Sequence, residues 1–148
     1  MGSKRFPLFI DLTGRRAVVV GGGTVGLRRA GVLLRFGAEV TVVSPRLAAP
    51  LEGVRHIPRT YREGDLQGAF LAVAATDDAA VNAAVGREAR RAGVVFNRGD
   101  CPEACDFFFP AVCEGKNLVA GIVGDGRDHR RTARAARRVR EILEEMEE

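Results

Sequence analysis

The stretch Gly21-Gly22-Gly23-Thr24-Val25-Gly26 decides the fold, because its glycines follow the spacing GxGxxG. An apolar, β-branched run precedes it at 16–20, and a run with helical spacing follows it at 27–36 and ends at Gly37. A second β-branched run occupies 38–44. Strand, glycine turn, helix and strand within about thirty residues predict a dinucleotide-binding βαβ unit.

Each glycine of the motif has a physical reason in such a unit. Gly21 permits a tight turn out of the strand, Gly23 lets the backbone approach a pyrophosphate, and Gly26 lets the helix pack close to the sheet. The N–H groups at the start of the helix then face the phosphates. A glycine-rich turn that binds no nucleotide is the alternative, since short motifs also match by chance.

The remaining chain up to about residue 100 alternates between strands and helices. Further strands are predicted at 54–58, 69–75 and 94–97. A helix is predicted at 79–92, with Asp77 or Asp78 as its N-cap and Gly93 at its end. This alternation predicts an α/β fold with a Rossmann-like parallel sheet, and we expect that nucleotide-binding domain to occupy residues 1–103.

Residues 104–148 read as a C-terminal strand–strand–helix segment. Its strands are predicted at 107–113 and 117–123, its turn at 114–116 and its helix at 129–148. The helix has one narrow apolar stripe, formed by Ala136, Val139, Leu143 and Met146. Because this stripe is thin and the strands are rich in phenylalanine, we expect a dimerisation segment and a homodimer. Packing within one subunit is the alternative.

The composition narrows the function classes. Arginine supplies most of the basic residues behind a net charge of +4, since only Lys4 and Lys116 are lysines. Arginine suits the recognition of carboxylates and phosphates, so a small polyanion and an ordinary solvated surface both account for the excess. The chain has one tyrosine and no tryptophan, which gives no aromatic–basic pattern, and no nucleic-acid partner is predicted.

The location follows from what the sequence lacks and from its cysteines. No apolar run approaches the roughly 20 residues of a membrane span, and the N-terminus has no signal-peptide core. An odd number of cysteines, Cys101, Cys105 and Cys113, fits free thiols in a reducing compartment. Their spacing is not that of a zinc site. A cytoplasmic protein without membrane contact or a bound metal is therefore predicted.

Candidate site residues follow the carboxyl ends of the predicted strands, where open α/β sheets bind ligands. Ser44-Pro45-Arg46 stands where an acid usually meets the ribose, so these residues favour either a cofactor with a 2′-phosphate or no preference between NAD and NADP. Thr76 could contact the nucleotide or act as a helix cap. Asp100 is the candidate proton acceptor, and an ordinary turn residue is the alternative.

Five segments of the sequence together resemble a known protein family. They are Phe6-Pro-Leu-Phe-Ile-Asp-Leu12, Val18-Val-Val-Gly-Gly-Gly23, Ala74-Ala-Thr-Asp-Asp78 with Val81-Asn82, Asn97-x-x-Asp100 and Asp106-Phe-x-Phe-Pro-Ala111. In this order they resemble the precorrin-2 dehydrogenase/sirohydrochlorin ferrochelatase family, the N-terminal module of siroheme synthase. The resemblance covers about residues 5–124.

The resemblance implies NAD-dependent oxidation of precorrin-2 to sirohydrochlorin, followed in some members by insertion of ferrous iron. It implies a homodimer that exchanges its tails, NAD as cofactor, and a tetrapyrrole substrate rich in carboxylates. Asp100 takes the place of the essential aspartate. The implied cofactor contacts are Gly21, Gly22, Gly23, Thr24, Val25, Ser44, Pro45, Thr76 and Asp77. The implied substrate contacts are Asn97, Arg98, Arg127 and His129.

Two departures from the family pattern qualify these expectations. Val123-Gly-Asp-Gly-Arg-Asp-His129 stands where many relatives have a serine-rich segment, and Gly124 replaces the serine that some relatives phosphorylate. The further helical domain of many relatives has no counterpart in the sequence, which leaves ferrochelatase activity open. A non-catalytic nucleotide-sensing module and a chelatase without dehydrogenase activity are the alternative functions.

Overall fold

A computed structural model describes residues 4–147 of the chain. It divides into two compact units. The sheet unit spans Ile10–Phe107, and the terminal unit combines Met1–Phe9 with Phe108–Glu148. The terminal unit thus includes the first residues, which the sequence-based division at residue 103 assigns to the nucleotide-binding domain.

The sheet unit contains five parallel strands and two long helices. In chain order they are β1 (Arg16–Val20), α1 (Thr24–Arg35), β2 (Glu39–Val43), β3 (Arg55–Ile57), β4 (Leu71–Ala74), α2 (Ala79–Ala92) and β5 (Val95–Arg98). A short 3-10 turn follows at Pro102–Ala104. The strand order β3-β2-β1-β4-β5 confirms the predicted Rossmann-like α/β fold.

The central strands are buried along nearly their whole length, which explains their near-continuous apolar sequence. Val18, Val20 and Val43 pack in one core with Val85 of α2 and Phe96 of β5. Fully burying a side chain of this size stabilises the fold by about 1.5–3 kcal/mol. β1 and β4 are parallel neighbours in this sheet, so their carboxyl ends lie side by side at the same end of it.

The two helices differ in how well their starts were predicted. α2 matches the prediction at both ends, because Asp78 caps it by accepting from the N–H groups of Ala80 and Val81 and Gly93 ends it at φ 69°. α1 begins at Thr24 rather than at residue 27. The reason is that Gly23 is itself the N-cap in an extended conformation, so the helix starts inside the glycine motif.

A buried carboxylate on α2 fastens the segment before β4. Glu88 Oε1 accepts hydrogen bonds from the Tyr61 hydroxyl at 2.6 Å and the Gly64 N–H at 2.7 Å, and Oε2 accepts from the Leu66 N–H at 2.8 Å. Burial, and then the hydrogen bond to Glu88, raise the pKa of Tyr61 above its ordinary value. Glu88 therefore acts as a structural anchor for residues 61–66.

Asp106 closes the loop that follows β5. The Phe96 N–H donates to Asp106 Oδ2 at 3.0 Å, and the Asp106 N–H donates to the Phe96 carbonyl at 2.8 Å. Since β5 is the last strand of the sheet order, these bonds lie on its open edge. The loop from residue 99 to 105 is thereby closed between β5 and Asp106.

The terminal unit packs a helix on an antiparallel hairpin. β6 (Ala111–Gly115) pairs with β7 (Leu118–Ile122), and α3 (His129–Glu145) covers Cys113 with Ala136 and Leu143. These elements confirm the predicted strand–strand–helix order. No helix among residues 4–147 is long and apolar enough to cross a membrane.

Several boundaries in this unit were predicted wrongly. The first strand begins at Ala111 rather than at residue 107, since Pro110 has no N–H to donate to a sheet. The turn lies at 116–117 rather than 114–116, because Asn117 adopts the left-handed conformation at φ 62°. Met146 is 67% exposed instead of joining the buried stripe, and α3 ends at Glu145. The predicted end of this helix at Glu148 lies outside the described residues.

Candidate active site

The glycine turn brings the ends of β1 and β4 into close contact. Gly21 has φ 123°, a conformation that other residues rarely adopt, and a Cβ there would overlap the Ala75 carbonyl. A Cβ at Gly26 would overlap the Gly21 carbonyl. These two positions therefore agree with the reasons given from the sequence, a tight turn at Gly21 and close helix packing at Gly26.

Gly23 lies in a different environment, because nothing is within 4 Å of the position its Cβ would take. Gly23, Thr24 and Val25 are exposed, and no side chain caps the start of α1. The first turn of α1 also has no acidic residue. Open space beside unclaimed N–H groups at a positive helix end fits a pyrophosphate.

The turn after β2 folds over Gly22. The Ser44 hydroxyl donates to the Arg46 carbonyl at 2.7 Å, and the Ala48 N–H donates to the Gly22 carbonyl at 2.8 Å. A Cβ at Gly22 would overlap the Arg46 carbonyl. Ser44 and Gly22 are thus buried and shape the turn, while Pro45 is exposed at its tip.

Thr76 follows β4 and is held by a buried amide. Its hydroxyl donates to Asn82 Oδ1 at 2.6 Å, its N–H donates to the same oxygen at 3.2 Å, and its carbonyl accepts from Asn82 Nδ2 at 3.1 Å. Asp77 is exposed beside it, and Asp78 rather than Asp77 caps α2. Thr76 is therefore fixed in place at the edge where the glycine turn lies.

Asp100 follows β5, which is the neighbour of β4 in the sheet. Its two oxygens accept hydrogen bonds from Arg98 Nε at 2.7 Å and Nη2 at 2.9 Å, and Oδ2 also accepts from Asn82 Nδ2 at 3.2 Å. The Arg98 hydrogen bonds are the main cause that lowers the pKa of Asp100 to about 2. At neutral pH Asp100 is therefore a carboxylate.

Asn97 is buried and holds the loop that carries Asp100. Its Oδ1 accepts from Arg29 Nη1 at 2.9 Å, and its Nδ2 donates to the Phe107 carbonyl at 2.9 Å. The Arg98 N–H in turn donates to Cys105 Sγ at 3.2 Å. Burial lowers the pKa of the Arg29 guanidinium. Through these two hydrogen bonds the Asn97 side chain connects β5 to α1 and to the segment after the loop, and so helps to fix the loop that carries Asp100.

The two other predicted substrate contacts lie in the terminal unit. Arg127 is exposed and forms an ion pair with Asp125 at 3.8 Å, and His129 is exposed at the first position of α3. Among residues 4–147, no three His, Cys, Asp or Glu side chains are grouped to hold a metal ion.

Asn82 and Arg29 are site-building residues to which the sequence alone assigned no role. The residues of α2 that face the core are Asn82, Val85, Glu88 and Ala89. Polar residues at these positions of an otherwise apolar stripe are a signal of buried hydrogen bonding, since buried polar groups need partners. Arg29 gives no comparable signal, because it lies among other arginines of α1.

Comparisons with known proteins also indicate a nucleotide-binding protein. Residues 8–111 match the model of a family described as "Putative NAD(P)-binding". A "Probable multifunctional siroheme biosynthesis protein HemA" from Ruminiclostridium josui is 41% identical over 137 residues, 88% of this chain and 27% of the relative. A siroheme synthase from Azotobacter vinelandii is 44% identical over 126 residues, 81% of this chain and 27% of the relative. The chain thus spans about a quarter of these relatives.

A solved structure gives a closer match in length. The chain superposes on "SirC, precorrin-2 dehydrogenase" with a TM-score of 0.74 and 28% identity, covering 93% of this chain and 71% of that one. The family resemblance predicted from the sequence is therefore confirmed. Because the family model matches more than half of its residues, the chain belongs to this NAD(P)-binding family.

Proposed function

We propose that this chain is an NAD-dependent dehydrogenase that oxidises precorrin-2 to sirohydrochlorin in siroheme or cobalamin biosynthesis. The observation that carries the proposal is the Asp100 carboxylate, which follows the strand next to β4 on the sheet edge that holds the glycine turn. The similarity to a siroheme synthase and to a precorrin-2 dehydrogenase supports this choice of substrate. Cys101, Cys105 and Cys113 are reduced thiols, which fits a cytoplasmic location.

The exposed start of α1 would hold the dinucleotide. Gly21, Gly22, Gly23, Thr24 and Val25 would bind the pyrophosphate, and Ser44, Pro45, Thr76 and Asp77 would supply further cofactor contacts. The turn from Ser44 to Ala48 has no acid to bind ribose hydroxyls. The family resemblance decides for NAD at this position. When bound, NAD accepts the hydride that the substrate loses.

Asp100 accepts the proton that leaves with that hydride. With its pKa held at about 2 by Arg98, the carboxylate is ionised but weakly basic. A tetrapyrrole carboxylate can compete for the planar fork of Arg98, which suits bidentate binding. Transfer of Arg98 to the substrate removes its two hydrogen bonds to Asp100 and so raises the basicity of the carboxylate at the moment of reaction. Asn97 holds the loop, and Arg127 and His129 supply further substrate contacts.

A second copy of the chain completes the terminal unit. Leu118 and Val119 of β7 are 46% and 45% exposed, Ile142 of α3 is 52% exposed, and Phe6 and Phe9 are 87% and 73% exposed. Large exposed apolar side chains in one small unit indicate a protein interface. We therefore propose a homodimer through the terminal unit.

The proposed function is tested with the purified chain, NAD and precorrin-2 under anaerobic conditions. We expect NADH to appear with wild-type protein, and the Asp100→Asn variant to lower kcat by about 10²–10⁴-fold while binding NAD normally. Glu103→Gln is the matched control, because Glu103 is an exposed acid on the same loop. NAD binding without oxidation in wild-type protein would instead identify a nucleotide-sensing module. Equal turnover in Asp100→Asn would remove the assigned role of Asp100.

A further inference from the structure

The Asn82 amide is buried, and every polar position of it is used. Asn82 is 2% exposed. Oδ1 accepts two hydrogen bonds from Thr76, and Nδ2 donates one to the Thr76 carbonyl and one to Asp100 Oδ2. An amide side chain has two donor hydrogens and two acceptor lone pairs, so no capacity is left over.

The Thr76 end of this network adjoins the glycine turn. The Ala75 N–H donates to the Val20 carbonyl at 2.8 Å, so the end of β4 is bonded to the end of β1. The Ala75 carbonyl lies where a Cβ of Gly21 would be, which means that the two backbones touch. A contiguous path of packed and hydrogen-bonded groups therefore runs from Gly21 through Thr76 and Asn82 to Asp100.

We propose that Asn82 is a positioning residue that couples the dinucleotide turn to Asp100 and fixes this carboxylate relative to the bound cofactor. The part that concerns catalysis rests on the proposed function. The coupling itself is a property of the sheet unit and can be measured without turnover.

A purely local role as a helix cap does not explain these contacts. Asp78 already caps α2, accepting from the N–H groups of Ala80 at 2.9 Å and Val81 at 3.4 Å. The backbone N–H of Asn82 is satisfied by the Asp78 carbonyl at 3.0 Å. The Asn82 side chain therefore does not cap α2, and it donates a hydrogen bond to Asp100 in the loop after β5.

Asn82 and Arg98 act on Asp100 in different ways. Arg98 contributes charge and is the last residue of β5, two positions before Asp100 in the loop that follows. Asn82 lies on α2 and ties that loop to the strand edge. Both hydrogen bonds favour the ionised carboxylate and lower the pKa of Asp100. Loss of Asn82 removes the tie while the charge of Arg98 remains.

The test follows the Asp100 carboxyl carbon by NMR, in protein with and without NAD. In wild-type protein we expect NAD to shift this resonance. In Asn82→Leu, which has similar size but no polar atoms, we expect the shift to disappear and the pKa of Asp100 to rise. Tyr61→Phe is the control, because it removes a buried hydrogen bond to Glu88 of the same helix and leaves the path to Asp100 intact.

A second variant covers the case in which Asn82→Leu does not fold. Asn82→Asp keeps an acceptor for Thr76 but loses the donor to Asp100, and we expect the same loss of the NAD-induced shift. In turnover assays both variants should lower kcat by about 100-fold, as expected for a displaced catalytic group. Asn82→Asp keeps the acceptor for the Thr76 hydroxyl and N–H, so its KM for NAD should change less than that of Asn82→Leu.

The outcomes separate this inference from the proposed function. An NAD-induced shift that persists in a folded Asn82 variant, or that is absent from wild-type protein, overturns the coupling. Wild-type protein that shows the coupling but does not oxidise precorrin-2 contradicts the proposed function and leaves the coupling standing.

Discussion

Arg98 grips Asp100 with two parallel hydrogen bonds, Nε to Oδ1 at 2.7 Å and Nη2 to Oδ2 at 2.9 Å. The Arg98 side chain is 12% exposed, whereas that of Asp100 is 38% exposed. The arginine is thus the more buried partner, and the carboxylate faces solvent. This arrangement makes the state of Asp100 depend on what else competes for the guanidinium.

Removing the guanidinium should raise the pKa of Asp100. In Arg98→Met we expect it to move from about 2 toward the ordinary 3.8, because the hydrogen bonds from Arg98 are the largest cause that lowers it. A pH titration of the Asp100 carboxyl carbon by NMR measures the change. Arg90→Met, an exposed arginine on α2, should leave the titration as in wild-type protein.

The hydrogen-bonded pair of Arg98 and Asp100 also predicts how the stability of the protein changes with pH. Since folding lowers the pKa of Asp100, its contribution to stability is fully present above about pH 4 and is lost as the pH falls through about 2. Wild-type protein should therefore unfold at higher urea concentration than Arg98→Met at neutral pH, and the difference should shrink in acid. A difference that grows below pH 4 would contradict this assignment.

Adding one methyl group at Gly23 should weaken dinucleotide binding without unfolding the chain. The site of the new Cβ is open in the protein, so Gly23→Ala has no internal clash, but the methyl group would stand where the pyrophosphate approaches. Isothermal titration with NAD measures the loss.

Gly31→Ala is the matched control for that experiment. Gly31 is also surrounded by open space but lies within α1, where alanine is favoured by about 0.5–1 kcal/mol. We expect unchanged NAD affinity and a slightly higher Tm. Equal NAD affinity in Gly23→Ala and wild-type protein would place the pyrophosphate elsewhere.

Truncating Glu88 should be among the most destabilising single changes in the sheet unit. Glu88→Ala leaves the Tyr61 hydroxyl and the N–H groups of Gly64 and Leu66 without their acceptor, and we expect a loss of about 3 kcal/mol. Tyr61→Phe removes one of these bonds and should lose about 1 kcal/mol. Urea unfolding measures both, and equal losses would show that the backbone donors find other partners.

A charge on β7 should separate the proposed dimer. Val119→Glu places a carboxylate among exposed apolar side chains, and burying it between two copies without a partner is unfavourable. Sedimentation should show a dimer for wild-type protein and a monomer for the variant. Arg87→Glu, at an exposed position of α2, is the control and should remain dimeric. A monomeric wild-type protein would contradict the proposed interface.

Local signals in the sequence were enough to predict the βαβ unit and α2. The glycine spacing, the Asp78 cap and Gly93 each act within a few residues, so their effects can be read without the rest of the chain. The prediction of a strand from residue 107 was wrong, because the β-propensity of the three phenylalanines at 107–109 does not decide the structure where Pro110 follows them.

The parts of the site that the sequence could not predict depend on contacts between distant residues. Asn82 and Asp100 are separated by 18 positions, and Arg29 meets Asn97 across 68. Nothing in either local pattern specifies such a partner. Ser44 was predicted as a cofactor contact from its position after the second strand, but its hydrogen bond to the Arg46 carbonyl, formed within the turn itself, was not predicted.

The pairing of Asp106 with Phe96 has a consequence for self-association. An edge strand with unpaired N–H and C=O groups can recruit a strand from another molecule and so extend the sheet. At Phe96 both groups already have a partner in Asp106. Strand addition at this position is therefore blocked from within the chain, which protects the β5 edge from open-ended aggregation.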